Sequence, residues 1–433
     1  MSIQWTPASH SHGTVQLQQL KKILDHGPGF IGAISDDDAL SAVEQIAATV
    51  PADDSILLLG IGGSALGARA LAAALAPEPI RDLNILDNID PDTVERKLSR
   101  LDLSRTTVLV ISKSGATAET SAQLLRIIAA LRAAGVDPDQ KIIAITDRQK
   151  GPLRALASKC GWRTLEVPSD VGGRFSVMTA VGWLPAILVG IDIRKLTQGA
   201  RNCLKDLQQA DENHALVQSA SEWARCSASH KTVVLFPYRD RLRTFGDWFA
   251  QLWAESLGKR LDLAGNEVWN GSTPIVARGV TDQHSLVQLF VEGPDDKQYV
   301  FLDAPLEGSD PVIESDLADL HPDFGYLSGK SLDQLRIAEW EGTIAALRAA
   351  GRPVSTIQLE KLDEAHLGAL MLLWEMMTLL AAAELNVDPF DQPGVEAGKA
   401  VAFAKMGREG WQEKADAITA GASSPPPAPA IDC

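Results

Sequence analysis

The feature that most constrains this chain is a repeated alternation of short apolar runs with helical spacing, broken by turns of small and polar residues. From Ser55 the runs ILLLG, LNIL, TTVLVI and KIIAIT are separated by helix-like patterns, and a second series runs through KTVVLF, TPIVARG, QYVFLD and PVSTIQL. Short Val, Ile and Leu runs that alternate with helices predict parallel strands buried on both faces. The expected fold class is therefore α/β, with two doubly wound parallel-sheet domains, each an αβα sandwich. Leu17, Leu20 and Leu24, then Leu40, Val43 and Ile46, predict a helical layer ahead of the first sheet. A helix-rich stretch from Met178 to about Ser229 separates the two series, and the Leu-, Met- and Ala-dense pattern from Asp363 to Glu384 reads as one buried helix. The boundaries expected are an N-terminal helical segment over 1–50, sheet domains over 51–210 and 211–385, a C-terminal helical segment over 386–420, and a disordered proline-rich tail over 421–433.

A chain of 433 residues exceeds one ordinary domain of about 150. Hydrophobic residues at 45% and charged ones at 22% are the balance of a globular protein. The net charge of -16 repels nucleic acid and anionic membrane, so neither is expected as a partner, and an anionic substrate would need a local positive pocket. No uninterrupted apolar run reaches the roughly 18 residues of a membrane span, and the first residues lack the pattern of a signal peptide. A cytoplasmic location is the expectation. Cys160, Cys203, Cys226 and Cys433 show neither the C-x-x-C pairs of a zinc site nor the density of a disulfide framework, and are read as reduced thiols.

The first turn of interest follows the strand SILLL and reads GIGGSALG. Gly60, Gly62 and Ala65 satisfy the dinucleotide fingerprint G-x-G-x-x-G/A, and Asp87 ends the next strand at about the right distance. The physics is more general: glycines let the backbone approach an anion at which a helix N-terminus points. Gly63 and Ser64 add a glycine and a hydroxyl where the helix begins, and Ser64 could equally be an ordinary N-cap. Read alone, this loop serves a nucleotide or a sugar phosphate equally well. The segments around Gly62–Leu66 and Gly394–Ala400 fail the nucleophile-elbow and P-loop spacings, so neither a hydrolase nor an ATPase is supported.

The third strand runs into Ser112-Lys113-Ser114-Gly115-Ala116-Thr117-Ala118-Glu119-Thr120. Hydroxyls, a glycine and a lysine in one strand-to-helix turn suit a phosphate monoester, since hydroxyls and backbone N–H groups donate to its oxygens. Both turns together resemble those of the sugar isomerase (SIS) domain proteins, and of the glucose-6-phosphate isomerase family in particular. The resemblance implies that Ser112, Ser114 and Thr117 hold a phosphate, that Lys113 and Glu119 line the same site, and that Gly63 and Ser64 are among the residues that bind the substrate or its phosphate. Gly115 and Ala116 depart from the aromatic residue and threonine usual in the long eukaryotic-type form.

Moving a hydrogen between C1 and C2 of an open-chain sugar needs a base, an electrophile for the enediolate charge, and an acid to open the ring. Glu255 is the candidate base, at the edge of the stripe Phe245, Trp248, Phe249, Leu252 and Trp253. An apolar wall there would raise its pKa. Its segment, Leu252 to Lys259, is similar to the one around the family's proton-transfer base. Arg174, in Asp170-Val171-Gly172-Gly173-Arg174-Phe175-Ser176, is the candidate enediolate partner, with paired glycines that would let the backbone approach a ligand. This segment matches one of the family's two most specific signatures.

The other signature is resembled by Phe390 to Lys399, which implies that Gln392 helps bind phosphate and that Lys399 assists ring opening. His284, the ring-opening acid by resemblance, sits in Gly279-Val280-Thr281-Asp282-Gln283-His284-Ser285. In the family this histidine enters the neighbouring subunit's site, which implies a homodimer. The expected protein is a glycolytic and gluconeogenic isomerase that uses no cofactor and no metal. A dual phosphoglucose/phosphomannose isomerase and a non-catalytic sugar-phosphate sensor are the alternatives. An NAD-dependent dehydrogenase accounts only for the first loop and Asp87.

Overall fold

Strand β1 (Ile3–Thr6) opens the chain, whose computed structural model describes residues 2–9 and 13–421. The helices Thr14–His26, Gly29–Ala33 and Asp37–Ala47 follow. The segment expected to be helical therefore also holds a strand. The tail expected over 421–433 lies outside the described residues from 422 onward.

The first sheet comprises β2 (Ser55–Leu59), β3 (Leu83–Leu86), β4 (Thr106–Ile111), β5 (Ile142–Thr146) and β6 (Arg163–Glu166). Its order is β3-β2-β4-β5-β6, with every neighbouring pair parallel. The second sheet holds β7 (Thr232–Pro237), and a short antiparallel hairpin, β8 (Lys259–Leu261) and β9 (Glu267–Asn270), intervenes before its other strands. Those are β10 (Thr273–Val276), β11 (Lys297–Asp303) and β12 (Val354–Leu359). The order is β10-β7-β11-β12-β1: four parallel strands wound as the first four of the first sheet are, with β1 pairing antiparallel to β12 in the fifth place. Sequence reading had missed β1, whose four residues IQWT carry too little pattern to be seen without their partner strand.

Period-2 alternation explains how continuous apolar runs pack. Leu57, Leu59, Val108, Val110, Ile142 and Ala144 face the helices Pro91–Leu98, Ala118–Ala133 and Pro152–Cys160 on one side of the first sheet. Ile56, Leu58, Leu109 and Ile143 face the other way. They join Leu235, Val300 and Ile357 of the second sheet in a single core shared with the helices Ile193–Gln208 and Arg243–Leu257. Through that core runs Glu364–Leu385, long and apolar enough to cross a membrane by length and composition, with 94% of its apolar window buried. Gly199 and Gly368 let it meet the helix Ile193–Gln208 closely: a Cβ on either would lie 1.9–2.0 Å from a backbone oxygen of the other helix.

In each sheet the winding reverses beside the parallel strand that comes first in the chain, between β2 and β4 and again between β7 and β11. A crevice opens at the carboxyl ends of such strands, where ligands bind in open α/β sheets.

Candidate active site

At the first sheet's crevice, β2 passes through Gly60 and Ile61 into a tight turn over Gly62–Ser64 and then the helix Leu66–Leu75. Gly62 has φ +57, in the left-handed region that favours glycine. Ser64 is not the helix cap, since Ala65 occupies that position. Asp87, the acid expected to meet a ribose, is held by Arg69 at 2.5 Å, which leaves the dinucleotide reading without its acceptor.

After β4, the buried Ser112 Oγ accepts from Gly115 N at 3.1 Å and lies 3.0 Å from Thr117 Oγ1. Gly115 has φ +66, which the turn needs in order to close. Ala116 N donates to Ser114 Oγ at 3.2 Å, and Thr117 stands at the N-cap of Ala118–Ala133 without a side-chain bond into that helix. Lys113 turns its ammonium to the carbonyls of Ser169 and Val171, at 2.7 and 2.8 Å. Burial lowers its pKa, against the pull of Asp170 and Asp147. Its side chain braces the phosphate-type turn against the segment that carries Arg174.

Arg174 is buried in a turn over Gly173–Phe175. The glycine this approach requires is Gly63, whose added Cβ would lie 2.2 Å from Gly173 O. Gly172 and Gly173, expected to be the permissive pair, have open or ordinary surroundings. The guanidinium is fully engaged: Nε donates to Ser256 Oγ at 2.9 Å, Nη1 to Gln392 Oε1 at 2.9 Å, and Nη2 to the carbonyls of Pro389 and Asp391. Nη1 also lies 2.9 Å from Glu255 Oε1. Burial lowers this arginine's pKa, and the Glu255 carboxylate opposes that.

Glu255 belongs to Arg243–Leu257, whose stripe of Phe245, Trp248, Phe249, Leu252 and Trp253 is buried as the spacing predicted. Its carboxylate does not face an apolar wall. It meets Arg174 on one oxygen and Gln251 Nε2 on the other, at 2.9 Å. Gln251 was not foreseen, although its position one turn before Glu255 puts both on one helix face. Its Oε1 is buried without a hydrogen-bond partner among the described residues, beside the base. Lys259 anchors the end of this helix to the C-terminal segment, donating to Glu255 O and Asp391 O at 2.8 Å.

These elements enclose a cavity of about 530 Å³ lined by Gly63, Ser64, Lys113, Ser114, Thr117, Arg174, Glu255, Gln392 and Lys399. Ile61, Asp147, Lys150 and Gln251 also line it, none of them singled out from the sequence, and so does Gly173 of the expected glycine pair. Ser112 supports the turn from beneath. Glu119, in the first turn of Ala118–Ala133, does not line the cavity, and neither does His284. His284 follows the turn Thr281–Gln283 beyond β10. Lys399 enters from the helix Glu396–Lys405, its ammonium 2.8 Å from Glu396.

A family model described as "Phosphoglucose isomerase" matches residues 38–417. The chain is 40% identical over 371 residues to the glucose-6-phosphate isomerase of Carboxydothermus hydrogenoformans, covering 83% of this chain and 80% of the relative. It is 38% identical over 377 residues to that of Thermus thermophilus, covering 86% and 88%. Among solved structures, a hypothetical protein of Thermus thermophilus superposes with TM-score 0.84 at 35% identity, covering 91% of this chain and 95% of the other. The glucose-6-phosphate isomerase of Chlamydia trachomatis shares the fold, with TM-score 0.76 at 23% identity over 89% of this chain and 76% of the other.

Proposed function

This chain belongs to the phosphoglucose isomerase family, and on that premise we propose that Glu255, Arg174 and Lys399 act on a sugar phosphate held by Ser114 and Thr117. The reaction is the reversible aldose–ketose isomerisation of glucose 6-phosphate and fructose 6-phosphate. The observation that carries the residue assignment is the ion pair between Glu255 and Arg174, set in the cavity that the serine- and threonine-rich turn borders.

The turn after β4 offers Ser114 and Thr117 hydroxyls, with Ser112 holding it closed, and the N-terminus of Ala118–Ala133 adds partial positive charge. With the phosphate fixed there, the open-chain C1–C2 unit reaches Glu255. The carboxylate takes a proton from one carbon and returns it to the next, through a cis-enediolate. Negative charge that grows on the enediolate oxygen is met by Arg174, whose other contacts hold the guanidinium rigid and so pre-organised. Gln251 fixes the rotamer of Glu255. Ring opening falls to Lys399, together with His284 of a second copy of the chain; the position of His284 away from its own chain's cavity supports a homodimer. Gln392, bonded to Arg174, couples the C-terminal segment to the reacting centre. We read the enzyme as cytoplasmic and as needing no cofactor or metal.

Proton NMR with fructose 6-phosphate in deuterated water containing EDTA tests this directly. Wild type should release glucose 6-phosphate carrying deuterium at C2, and Glu255→Gln should slow the exchange by about 10²–10⁴-fold. Exchange that survives in the variant would remove Glu255 from the role. Phosphosugar binding without any exchange in wild type would leave a sensor in place of an enzyme.

A further inference from the structure

The cavity must neutralise a phosphate dianion, yet most of the cations that line it are already committed. Arg174 pairs with Glu255 and with backbone carbonyls, Lys113 donates to Ser169 O and Val171 O, and Lys399 pairs with Glu396. The remaining lining cation is Lys150, which among the described residues makes no side-chain hydrogen bond or ion pair and has only an electrostatic interaction at longer range with Asp147. We propose that Lys150 supplies the charge that draws in and clamps the substrate's phosphate, as a binding residue of a third loop of the site. The proposal rests on the isomerase reading above.

The loop after β5 is built onto the phosphate turn. Ser112 N donates to Ile145 O at 3.0 Å, Asp147 N donates to Lys113 O at 3.1 Å, and Thr146 Oγ1 reaches the same carbonyl at 3.4 Å. Gly151 takes φ +97 and presses against the turn so closely that a Cβ would lie 2.3 Å from Ser114 O. Lys150, the residue before that contact, is thereby rooted beside Ser114. Asp147 Oδ1 accepts the backbone N–H groups of Gln149 and Lys150, at 2.8 and 2.9 Å, so the loop's own carboxylate holds its backbone in place. The side chain is exposed at the rim. A flexible ammonium there can meet an incoming phosphate in solvent and follow it to the turn, where a buried, already-paired cation could not.

The test is steady-state kinetics with fructose 6-phosphate together with calorimetric titration of inorganic phosphate, on wild type, Lys150→Ala and Lys150→Arg. Arg148→Ala serves as control, since Arg148 lies in the same loop but pairs with Glu166 outside the cavity. Lys150→Ala should raise KM and the phosphate Kd together by about tenfold, with kcat within about twofold and a flatter dependence of KM on ionic strength. Lys150→Arg should restore most of both, while Arg148→Ala should match wild type. Unchanged KM and phosphate Kd in Lys150→Ala would overturn the proposal. So would an arginine variant as weak as the alanine one, because loop geometry rather than charge would then be at stake. Wild type that binds phosphate but turns over no sugar would defeat the isomerase reading alone, and the phosphate titrations would still decide the role of Lys150.

Discussion

At the carboxyl edge of the first sheet, the turns after β2 and β4 are rich in glycine, serine and threonine. At the same edge of the second sheet, the turns after β7 and β11 bring arginines and acids together. The crevices are alike in winding and in size, about 530 and 520 Å³, so neither topology nor volume separates them. Chemistry does. In the second, Arg239 Nη1 lies 2.7 Å from Asp333, Arg336 reaches Asp303 at 2.8 Å and Asp333 at 2.6 Å, and Arg241 meets Glu307 at 2.6 Å. Those cations satisfy acids of the same chain. In the first, hydroxyls, backbone N–H groups and Lys150 are left for an anion. A doubly wound sheet thus provides the place for a ligand, and the few residues in two turns decide whether it is a site or a seam.

Four substitutions press on this contrast. The largest effect is expected from Arg174→Ala, which removes the guanidinium from the charge that develops in the reaction and frees Glu255, Gln392 and the Pro389 carbonyl at once. Its kcat/KM should fall by about 10²–10³-fold in a coupled assay, and a loss below tenfold would mean that the guanidinium is structural only. Next, Ser114→Ala and Thr117→Ala should each raise KM by roughly tenfold with kcat nearly kept, as removal of a bond to a charged ligand does. A fall in kcat at constant KM would instead place these hydroxyls at the reacting carbons.

The smallest catalytic effect, and the sharpest contrast, belongs to Asp333→Asn in the second crevice. It should leave KM within about twofold and lower stability by about 3 kcal/mol, since Arg239 and Arg336 lose a largely buried partner. Burial pushes the Asp333 pKa up, but hydrogen bonds from Arg336 and Arg239 more than reverse this, and the net value lies below the ordinary one. That stabilisation is complete above the unfolded-state pKa and fades as pH falls through the folded one. Wild type should therefore lose more of its melting temperature than the variant between about pH 6 and about pH 3. A raised KM in Asp333→Asn would make the second crevice part of the catalytic machinery.

What could be read along the chain were features settled within a few residues. The strands of both sheets after residue 54 other than β6, the buried stripe of the Glu255 helix and the Ser/Thr turn all follow from local spacing, and the structure keeps them. The residues read less well are those whose meaning lies in a contact. Lys113 lines the cavity as expected and its ammonium also braces Val171, a contact no motif shows, and Gly173 looks like the permissive glycine when Gly63 is the one pressed against it. Gln251 and Lys150 carry no motif, and only the packing of their elements brings them to the cavity.

By itself, then, the sequence determined the α/β alternation, the two doubly wound sheets and a hydroxyl-rich turn after β4 whose composition suits a phosphate, because strand period, helix period and turn chemistry act over one or two turns of chain. Only the tertiary structure decided that β1 closes the second sheet, that Arg174 joins Glu255 to Gln392, 218 positions beyond the arginine itself, and that Lys150 makes no side-chain hydrogen bond or ion pair among the described residues. Hydrogen bonds and ion pairs of that reach depend on which faces the shared core brings together, and no local pattern encodes a partner so distant in the chain.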